Sequence, residues 1–196
     1  MRRLFLVLSI LISFVAVPLA HAAKYEVDTD HSSVTFKIRH LLSHVQGSFN
    51  KFSGEFEYDL EKPETWNTAV TVDATSIDTN VEPRDKHLRS ADFFDVEKFP
   101  TLAFKSAEVT DVTPESAKLH GLLTIHGVEK PVVFDLAIHG VAKDPWGNVR
   151  AGFTATVKID RKDFGLNWNK ALETGGVLVG DEVEITVDVE GLQKVS

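Results

Sequence analysis

Alternation of apolar and polar residues along most of the chain constrains its fold more than any other feature. Successive side chains of a β-strand point to opposite faces, so a period of two indicates a strand with one buried face. The longest series, Val149 to Ile159, has apolar residues at every second position. Seven further runs of this kind span 34–38, 56–60, 70–74, 102–106, 119–125, 132–138 and 183–189. The sequence therefore predicts an all-β protein.

The connections between these runs favour an antiparallel barrel. His126-Gly127 and residues 143–148, which include Pro145 and Gly147, resemble hairpin loops. Antiparallel strands with one apolar face either close into a barrel or stack as a sandwich, and closure removes exposed edges. We expect an eight-stranded antiparallel barrel. Periodicity leaves open whether its interior is filled by side chains or holds one narrow ligand.

Two segments interrupt the alternation. Residues 82–95, EPRDKHLRSADFFD, predict a short helical insertion, and residues 165–176 form an irregular stretch that contains Trp168. No repeat, low-complexity tract or linker divides the chain. We therefore expect a single barrel domain over residues 23–196.

The N-terminus has the pattern of a cleavable secretory signal. Arg2 and Arg3 precede an apolar run over residues 4–17, and Ala20-His21-Ala22 is a small-x-small triplet. The run is too short for a typical membrane span of about 20 residues. The sequence predicts a signal peptide over residues 1–22, no stable membrane insertion of the mature chain, and an oxidising compartment.

Composition excludes several function classes. The formal net charge is −8, which argues against nucleic acid and against broad adhesion to anionic lipid surfaces. The chain has no cysteine, so it has no disulfide, thiol nucleophile or thiolate metal site.

Candidate catalytic or metal sites are weak. His40 and His44 have the spacing of a helical zinc pair, but their surroundings read as a strand running into a loop, and the glutamate of an HExxH motif is absent. Arg84, Asp85 and His87 form a possible acid–base set, although a local structural role is the simpler interpretation. We predict no catalytic residue, no metal and no cofactor.

Several short motifs, in order along the chain, resemble the YceI-like family of bacterial periplasmic lipid-binding proteins. They are DHSSVTF at 30–36, His40, VQGSF at 45–49, RDKHL at 84–88, ADFFD at 91–95, FP at 99–100, FKS at 104–106, GLLTIHGV at 121–128, RKDFG at 161–165, and the final strand. Each motif alone is weak, but their order covers essentially the whole mature chain.

This resemblance implies an extended, lipocalin-like barrel whose tunnel holds a long amphiphile. Expected ligands are polyisoprenoids such as a polyprenyl phosphate or an isoprenoid quinone, carried in the periplasm as cargo. Head-group contacts are predicted at Arg84, His87, His31 and His40. Tail contacts are predicted at Phe36, Leu88, Phe93, Phe94, Phe104, Leu123, Phe134, Phe153 and Phe164.

Two other functions remain open at this point. The chain could be an enzyme acting on a lipid-like substrate through Arg84, Asp85 and His87, or a stress-related structural protein with a solid interior. A homodimer that shields an apolar barrel mouth is a further possibility.

Overall fold

The alternating runs form the strands of one antiparallel sheet, seen in a computed structural model that describes residues 22–173 and 175–194. The predicted signal peptide lies outside the described residues, apart from Ala22. The strands are β1 (Ala23–Val27), β2 (Ser33–His40), β3 (Ser43–Phe49), β4 (Phe52–Tyr58), β5 (Asn67–Asp73), β6 (Ile77–Asp78), β7 (Thr101–Thr110), β8 (Ser116–Ile125), β9 (Val128–Lys143), β10 (Val149–Asp160) and β11 (Val179–Gln193). The described chain also contains one α-helix, α1 (Glu82–Arg89), and 3₁₀ turns at Pro63–Thr65, Ala74–Ser76 and Arg161–Phe164.

The sheet closes into a barrel of eight strands, which confirms the predicted fold. Its order is β1-β4-β5-β7-β8-β9-β10-β11, and β11 pairs with β1 to complete the ring. Strand β11 pairs first with β2 and then, at its C-terminal end, with β1. Strands β1 and β2 are thus two parts of one bent strand. The pairs β3/β4 and β5/β6 are arranged in the same way, so the eight predicted runs correspond to eight barrel strands.

The break between β1 and β2 is stabilised by local hydrogen bonds. The Ser32 hydroxyl donates to Glu190 O at 3.2 Å and accepts from Glu190 N at 3.0 Å. Asp28 N donates to the same carbonyl at 2.8 Å. A side chain and the bent backbone therefore replace the ladder bonds that the straight strand would have made.

The strand expected before His40 does run into a turn, at residues 41–42, but Ser43 already begins the next strand. Arg39 pairs with His44 and His40 pairs with Ser43, so β2 and β3 form a hairpin with a two-residue turn. Strand β3, SHVQGSF, lacks a clear apolar alternation, which is why the pattern did not reveal it.

The helical insertion is confirmed but is shorter than residues 82–95. Pro83 lies in the first turn of α1, where its missing N–H removes no helical bond. The helix stops at Ser90, and hydrogen-bonded turns continue the chain to Phe99. Leu88 and Phe94 pack from this segment against the apolar core.

Two apolar clusters divide the barrel interior along its axis. One contains Tyr25, Val27, Phe56, Tyr58, Trp66, Ala117, Leu119, Phe134, Leu136, Ile138 and Ala151. The other contains Val34, Phe49, Val72, Ala74, Ile77, Leu102, Leu123, Ile125, Phe164 and Leu166. The second cluster lies at the end covered by α1.

Candidate functional site

The barrel interior contains a cavity of about 620 Å³. Its walls come from strands β1 to β5 and β7 to β11, mostly through apolar side chains. Val183, Ile185 and Val187 of β11 line this space and are only half-buried, because part of each side chain faces the hollow. The volume lies within the range of about 300–1,000 Å³ typical of small-molecule sites. The side chains that point inward thus do not fill the barrel. The alternation of the sequence could not reveal this, because it indicates the direction of a side chain and not whether the interior is filled.

A cluster of aromatic rings closes one end of the cavity. Tyr58 and Trp66 pack with their ring centroids 4.7 Å apart, and Phe153 meets Tyr58 at 5.0 Å and Phe56 at 5.4 Å, edge to face in both cases. Trp66 Nε1 donates a hydrogen bond to Asp59 O at 2.6 Å. Burial raises the pKa of Tyr58, so its hydroxyl stays protonated. We call these packed rings the aromatic floor of the cavity.

The other end of the cavity reaches the surface beneath α1, beside Trp168 and Leu178. His87 lies edge-on to Trp168 at 4.9 Å and to Phe93 at 5.1 Å, and all three side chains line the cavity. His87 Nε2 lies 2.8 Å from Asp92 Oδ2, and 38% of the His87 side chain is exposed. Val81 also lines the cavity and is exposed. This end, which we call the mouth, is therefore partly polar and accessible.

Arg84 brings a positive charge to the mouth. Its Nε donates to Thr79 Oγ1 at 2.7 Å and its Nη2 to Thr79 O at 2.8 Å. Thr79 in turn donates its N–H and its hydroxyl to the buried carboxylate of Asp85. No carboxylate in the described chain forms an ion pair with Arg84, and the residue lines the cavity. Thr79 therefore orients the guanidinium, and its Nη1, which has no hydrogen-bond partner among the described residues, is available to an anion.

Arg161 holds the mouth segment in place from inside the protein. Only 2% of this residue is exposed. Its Nε donates to Gly180 O at 2.8 Å, and its Nη1 donates to Trp168 O at 3.0 Å and also to Leu166 O. Burial lowers the pKa of Arg161, although guanidinium stays protonated at neutral pH. Its donors are used within the protein, so we assign it a structural role at the mouth.

Most of the predicted ligand contacts lie around the cavity. Its lining includes Arg84, His87, His40, Phe36, Leu88, Phe93, Phe94, Phe104, Leu123, Phe134 and Phe153. The fold thus brings three of the predicted head-group residues and eight of the predicted tail residues to one space. Whether each contacts a ligand stays a prediction.

Two predicted contacts, His31 and Phe164, are not brought to the cavity. His31 follows the break after β1, where its exposed ring lies 2.9 Å from Asp28 Oδ2. Phe164 lies in the last 3₁₀ turn, where its side chain is 2% exposed within the second apolar cluster. The motifs placed both residues near the site in sequence, but bends in the backbone turn their side chains elsewhere.

Sequence reasoning missed four residues that shape the cavity: Tyr58, Trp66, Trp168 and Arg161. Two of the chain's three tryptophans are in this set. Large aromatic residues beside a break in alternation are the signal that points to them. Arg161 carries no such signal, because its role depends on carbonyl groups up to 19 residues away.

A polar cluster on the barrel exterior has the residue types of a metal site. Ligand atoms of Asp28, His31 and Glu190 lie within 4.8 Å of one another. Arg150 Nη1 donates to Asp28 and to Glu190 at 2.6 Å each, so a guanidinium already supplies the positive charge. This hydrogen bond lowers the pKa of Asp28 to about 2. The cluster is a salt-bridge network that joins β1, β10 and β11.

The described chain contains no helix with the length and apolar character of a membrane span.

Comparisons with known proteins agree with this architecture. The YceI-like domain profile matches residues 25–191. A UPF0312 protein of Vibrio cholerae is 42% identical over 188 residues, which cover 94% of this chain and 95% of that protein. The crystal structure of the Campylobacter jejuni YCEI protein is 33% identical and covers 81% of this chain and 91% of its own, with a TM-score of 0.70. A polyisoprenoid-binding domain from Saccharophagus degradans is 14% identical and covers 88% of this chain and 99% of its own, with a TM-score of 0.67.

Proposed function

Since this chain belongs to the YceI-like domain family, we propose that it is a binding protein whose barrel holds one long apolar chain with a polar head. The ligand class is a polyisoprenoid, such as a polyprenyl phosphate or an isoprenoid quinone. The observation that carries the proposal is the apolar cavity of about 620 Å³ whose lining extends from the aromatic cluster to the mouth. A polyisoprenoid is also the ligand named for the Saccharophagus domain of the same fold.

The shape and chemistry of the cavity support a narrow apolar ligand. Burial of apolar surface contributes roughly 25 cal/mol per Å², and the losses of freedom on binding reduce the net affinity. The wall offers few polar groups between the aromatic floor and the mouth, so a branched hydrocarbon matches it better than a sugar or a nucleotide. The floor at Tyr58 and Trp66 sets the length of chain that the barrel accepts.

The mouth supports a polar head group. Arg84 offers a charge without a carboxylate partner in the described chain, and His87 lies beside it on α1. Phosphate and quinone oxygens accept hydrogen bonds from such donors, and those to a charged guanidinium are the stronger ones. The ligand would therefore enter tail first and leave its head at α1.

The same contacts argue against the enzyme alternative. Asp85 is 4% exposed and its carboxylate already accepts two hydrogen bonds from Thr79, so it is poorly placed to move a proton to or from a substrate. His87 lies against the Asp92 carboxylate and two aromatic rings, without a hydroxyl nucleophile hydrogen-bonded to it in the described chain. The solid-barrel alternative is disfavoured by the hollow itself.

The cellular role that we propose is carriage or sequestration of this lipid in the periplasm. This role rests on the predicted signal peptide. An export signal would place a lipid-binding protein in the aqueous periplasm, where a free isoprenoid chain is insoluble.

A substitution that fills the cavity tests the proposal. Ala155 lines the cavity on β10, and its partner strand β9 carries Ala137, which is exposed on the outer face. We expect Ala155→Phe to fill part of the hollow and to weaken lipid binding by at least roughly tenfold, equivalent to about 1.4 kcal/mol. Ala137→Phe, the same change on the outside, should bind as the unmodified protein does.

Native mass spectrometry with organic extraction measures the outcome. The unmodified protein, purified from its own periplasm, should carry a near-stoichiometric isoprenoid that Ala155→Phe lacks. A bare protein that takes up no added isoprenoid would contradict the proposal. So would full binding by Ala155→Phe with its fold intact by circular dichroism.

A further inference from the structure

The tip of the β2–β3 hairpin exposes two leucines beside the cavity mouth. Leu42 is fully exposed, at 104%, and Leu41 is 43% exposed. Leu41 N donates to Leu178 O at 2.9 Å, which joins the tip to the segment that borders the mouth. His40, directly before the tip, and Leu178 both line the cavity. The tip is thus an apolar projection next to the opening through which a ligand enters.

The backbone of this turn is unfavourable for the residues that occupy it. Leu41, the first of the two loop residues, has a φ of 51°. Two-residue hairpin loops favour glycine at a position with positive φ, and an L-residue with a larger side chain is strained there. Neither local conformation nor packing within the barrel explains leucine at this turn. A local conflict of this kind is expected where a residue serves a function instead of stability.

Charge distinguishes the hairpin from the rest of the molecule. The chain as a whole has 29 acidic and 21 basic residues, yet no Asp or Glu occurs between Asp30 and Glu55. Arg39 is the basic residue at the tip, where its Nη1 donates to Leu41 O at 3.2 Å, and His40 and His44 flank the turn. The neighbouring strand β11 brings acidic groups to the base of the hairpin: Glu184 pairs with Lys37, and Asp181 follows Gly180, which lies against Arg39.

Leucines at a tip with basic neighbours have the character of a peripheral membrane contact. Apolar side chains gain free energy by leaving water for the interfacial region of a bilayer, and nearby Lys and Arg are attracted to anionic head groups. A single scattered apolar residue needs no explanation, but this pair adjoins the mouth of an apolar cavity. The contact is shallow and reversible, which agrees with the expectation of no stable membrane insertion.

We infer that the Leu41–Leu42 tip is a docking surface for an anionic lipid bilayer, which places the cavity mouth against the membrane surface. The exposed leucines and the Arg39 guanidinium beside them set the orientation. This inference concerns an interaction surface and holds whichever lipid the cavity carries.

The test replaces the tip with residues that suit the turn better. Leu41→Gly combined with Leu42→Ser removes both apolar side chains and places glycine at the positive φ, so folding is preserved or improved. The matched control is Trp146→Ser, which removes an exposed aromatic residue (82% exposed) from the β9–β10 hairpin at the opposite end of the barrel.

Flotation of the full protein with lipid vesicles measures docking. The unmodified protein should bind vesicles of phosphatidylcholine with phosphatidylglycerol more tightly than vesicles of phosphatidylcholine alone. The double variant should bind the anionic vesicles on the order of tenfold more weakly, since two leucine contacts are lost, and Trp146→Ser should bind normally.

Three outcomes would overturn the inference. They are no binding by the unmodified protein, equal binding by the double variant, or a dimer in analytical ultracentrifugation that dissociates in the double variant while vesicle binding is unaffected. The cavity-filled Ala155→Phe protein separates this inference from the proposed function. If that protein binds vesicles normally but no isoprenoid, docking belongs to the tip. If it loses vesicle binding, adhesion works through the cavity and the docking surface is refuted.

Discussion

Replacement of Arg161 by methionine should destabilise the protein and loosen the cavity mouth. Methionine has a similar length but no donor, so the carbonyl oxygens of Leu166, Trp168 and Gly180 lose their partner. Trp168 is half-buried and water reaches it, whereas Leu166 and Gly180 are buried. Gly180 lies in the irregular part of β11, where pairing with β2 is interrupted, so no strand bond replaces the guanidinium there.

The magnitude follows from counting the orphaned groups. Each buried acceptor without a partner costs about 1–3 kcal/mol, and two such groups give about 4 kcal/mol. Removal of a charged group from the protein interior is favourable and offsets part of this loss. The lowered pKa of Arg161 shows that its burial disfavours the charge. We expect a loss of about 3 kcal/mol in the free energy of unfolding, which corresponds to a Tm lower by roughly 6–12 °C in a chain of this size.

Urea unfolding followed by circular dichroism measures this loss. Arg161→Lys is the charge-preserving comparison, and it should fall between the other two proteins because an ammonium does not reproduce the guanidinium geometry. Trp168 should also become more exposed to water in Arg161→Met, which shifts the tryptophan fluorescence emission to longer wavelength. A decrease of less than about 1 kcal/mol would refute the argument, because it would mean that water or other donors satisfy these carbonyls.

Two further predictions concern stability. The hydrogen bond from Arg150 lowers the pKa of Asp28 from 3.8 to about 2. The pair therefore stabilises the folded state fully at a pH above 3.8, and this contribution is lost as the pH falls towards 2. Asp28→Asn should therefore reduce the free energy of unfolding by about 1–2 kcal/mol at pH 7, after allowance for solvent screening, and by little near pH 2. Urea unfolding at a series of pH values measures this. If the difference in the free energy of unfolding between the two proteins were the same at every pH, the prediction would be contradicted. Gly127→Ala should lower stability by about 1–3 kcal/mol, because φ is +72° and the new Cβ would lie 2.5 Å from the Phe99 ring. Gly140 is the control position, because its φ is +98° and a new Cβ there would meet no atom within 4 Å. Gly140→Ala therefore measures the cost of the backbone conformation alone. If both variants lost the same Tm, contact with the Phe99 ring would not contribute.

Much of the candidate site could be predicted from residue type and parity. Phe104, Phe134 and Phe153 occupy alternating apolar positions of long strands, and closure of the sheet turns those positions inward. His31 and Phe164 could not be placed in this way, because neither lies within a regular strand. Their side-chain directions depend on a bend after β1 and on a 3₁₀ turn, which have no periodicity to read.

The sequence by itself determined the class of fold. A period of two along eight runs indicates strands with one buried face, and short polar connections indicate antiparallel neighbours. Of the two folds that bury such faces, a sandwich and a barrel, the barrel was favoured because closure removes exposed edges. The motifs identified the family from the same residues. The helical insertion was also visible, because its charged and aromatic residues break the alternation.

Only the tertiary structure decided what lies inside and at the ends of the barrel. Whether inward side chains meet across the axis depends on barrel radius and on how strands such as β1/β2 bend, and neither is encoded in the alternation of any single run. The aromatic floor, the Arg161 contacts and the position of the leucine tip beside the mouth each join residues that are distant in sequence. Contacts of that kind exist only after the sheet has closed. For this reason the alternation predicted the barrel but not its cavity, which was expected only from the resemblance to the family.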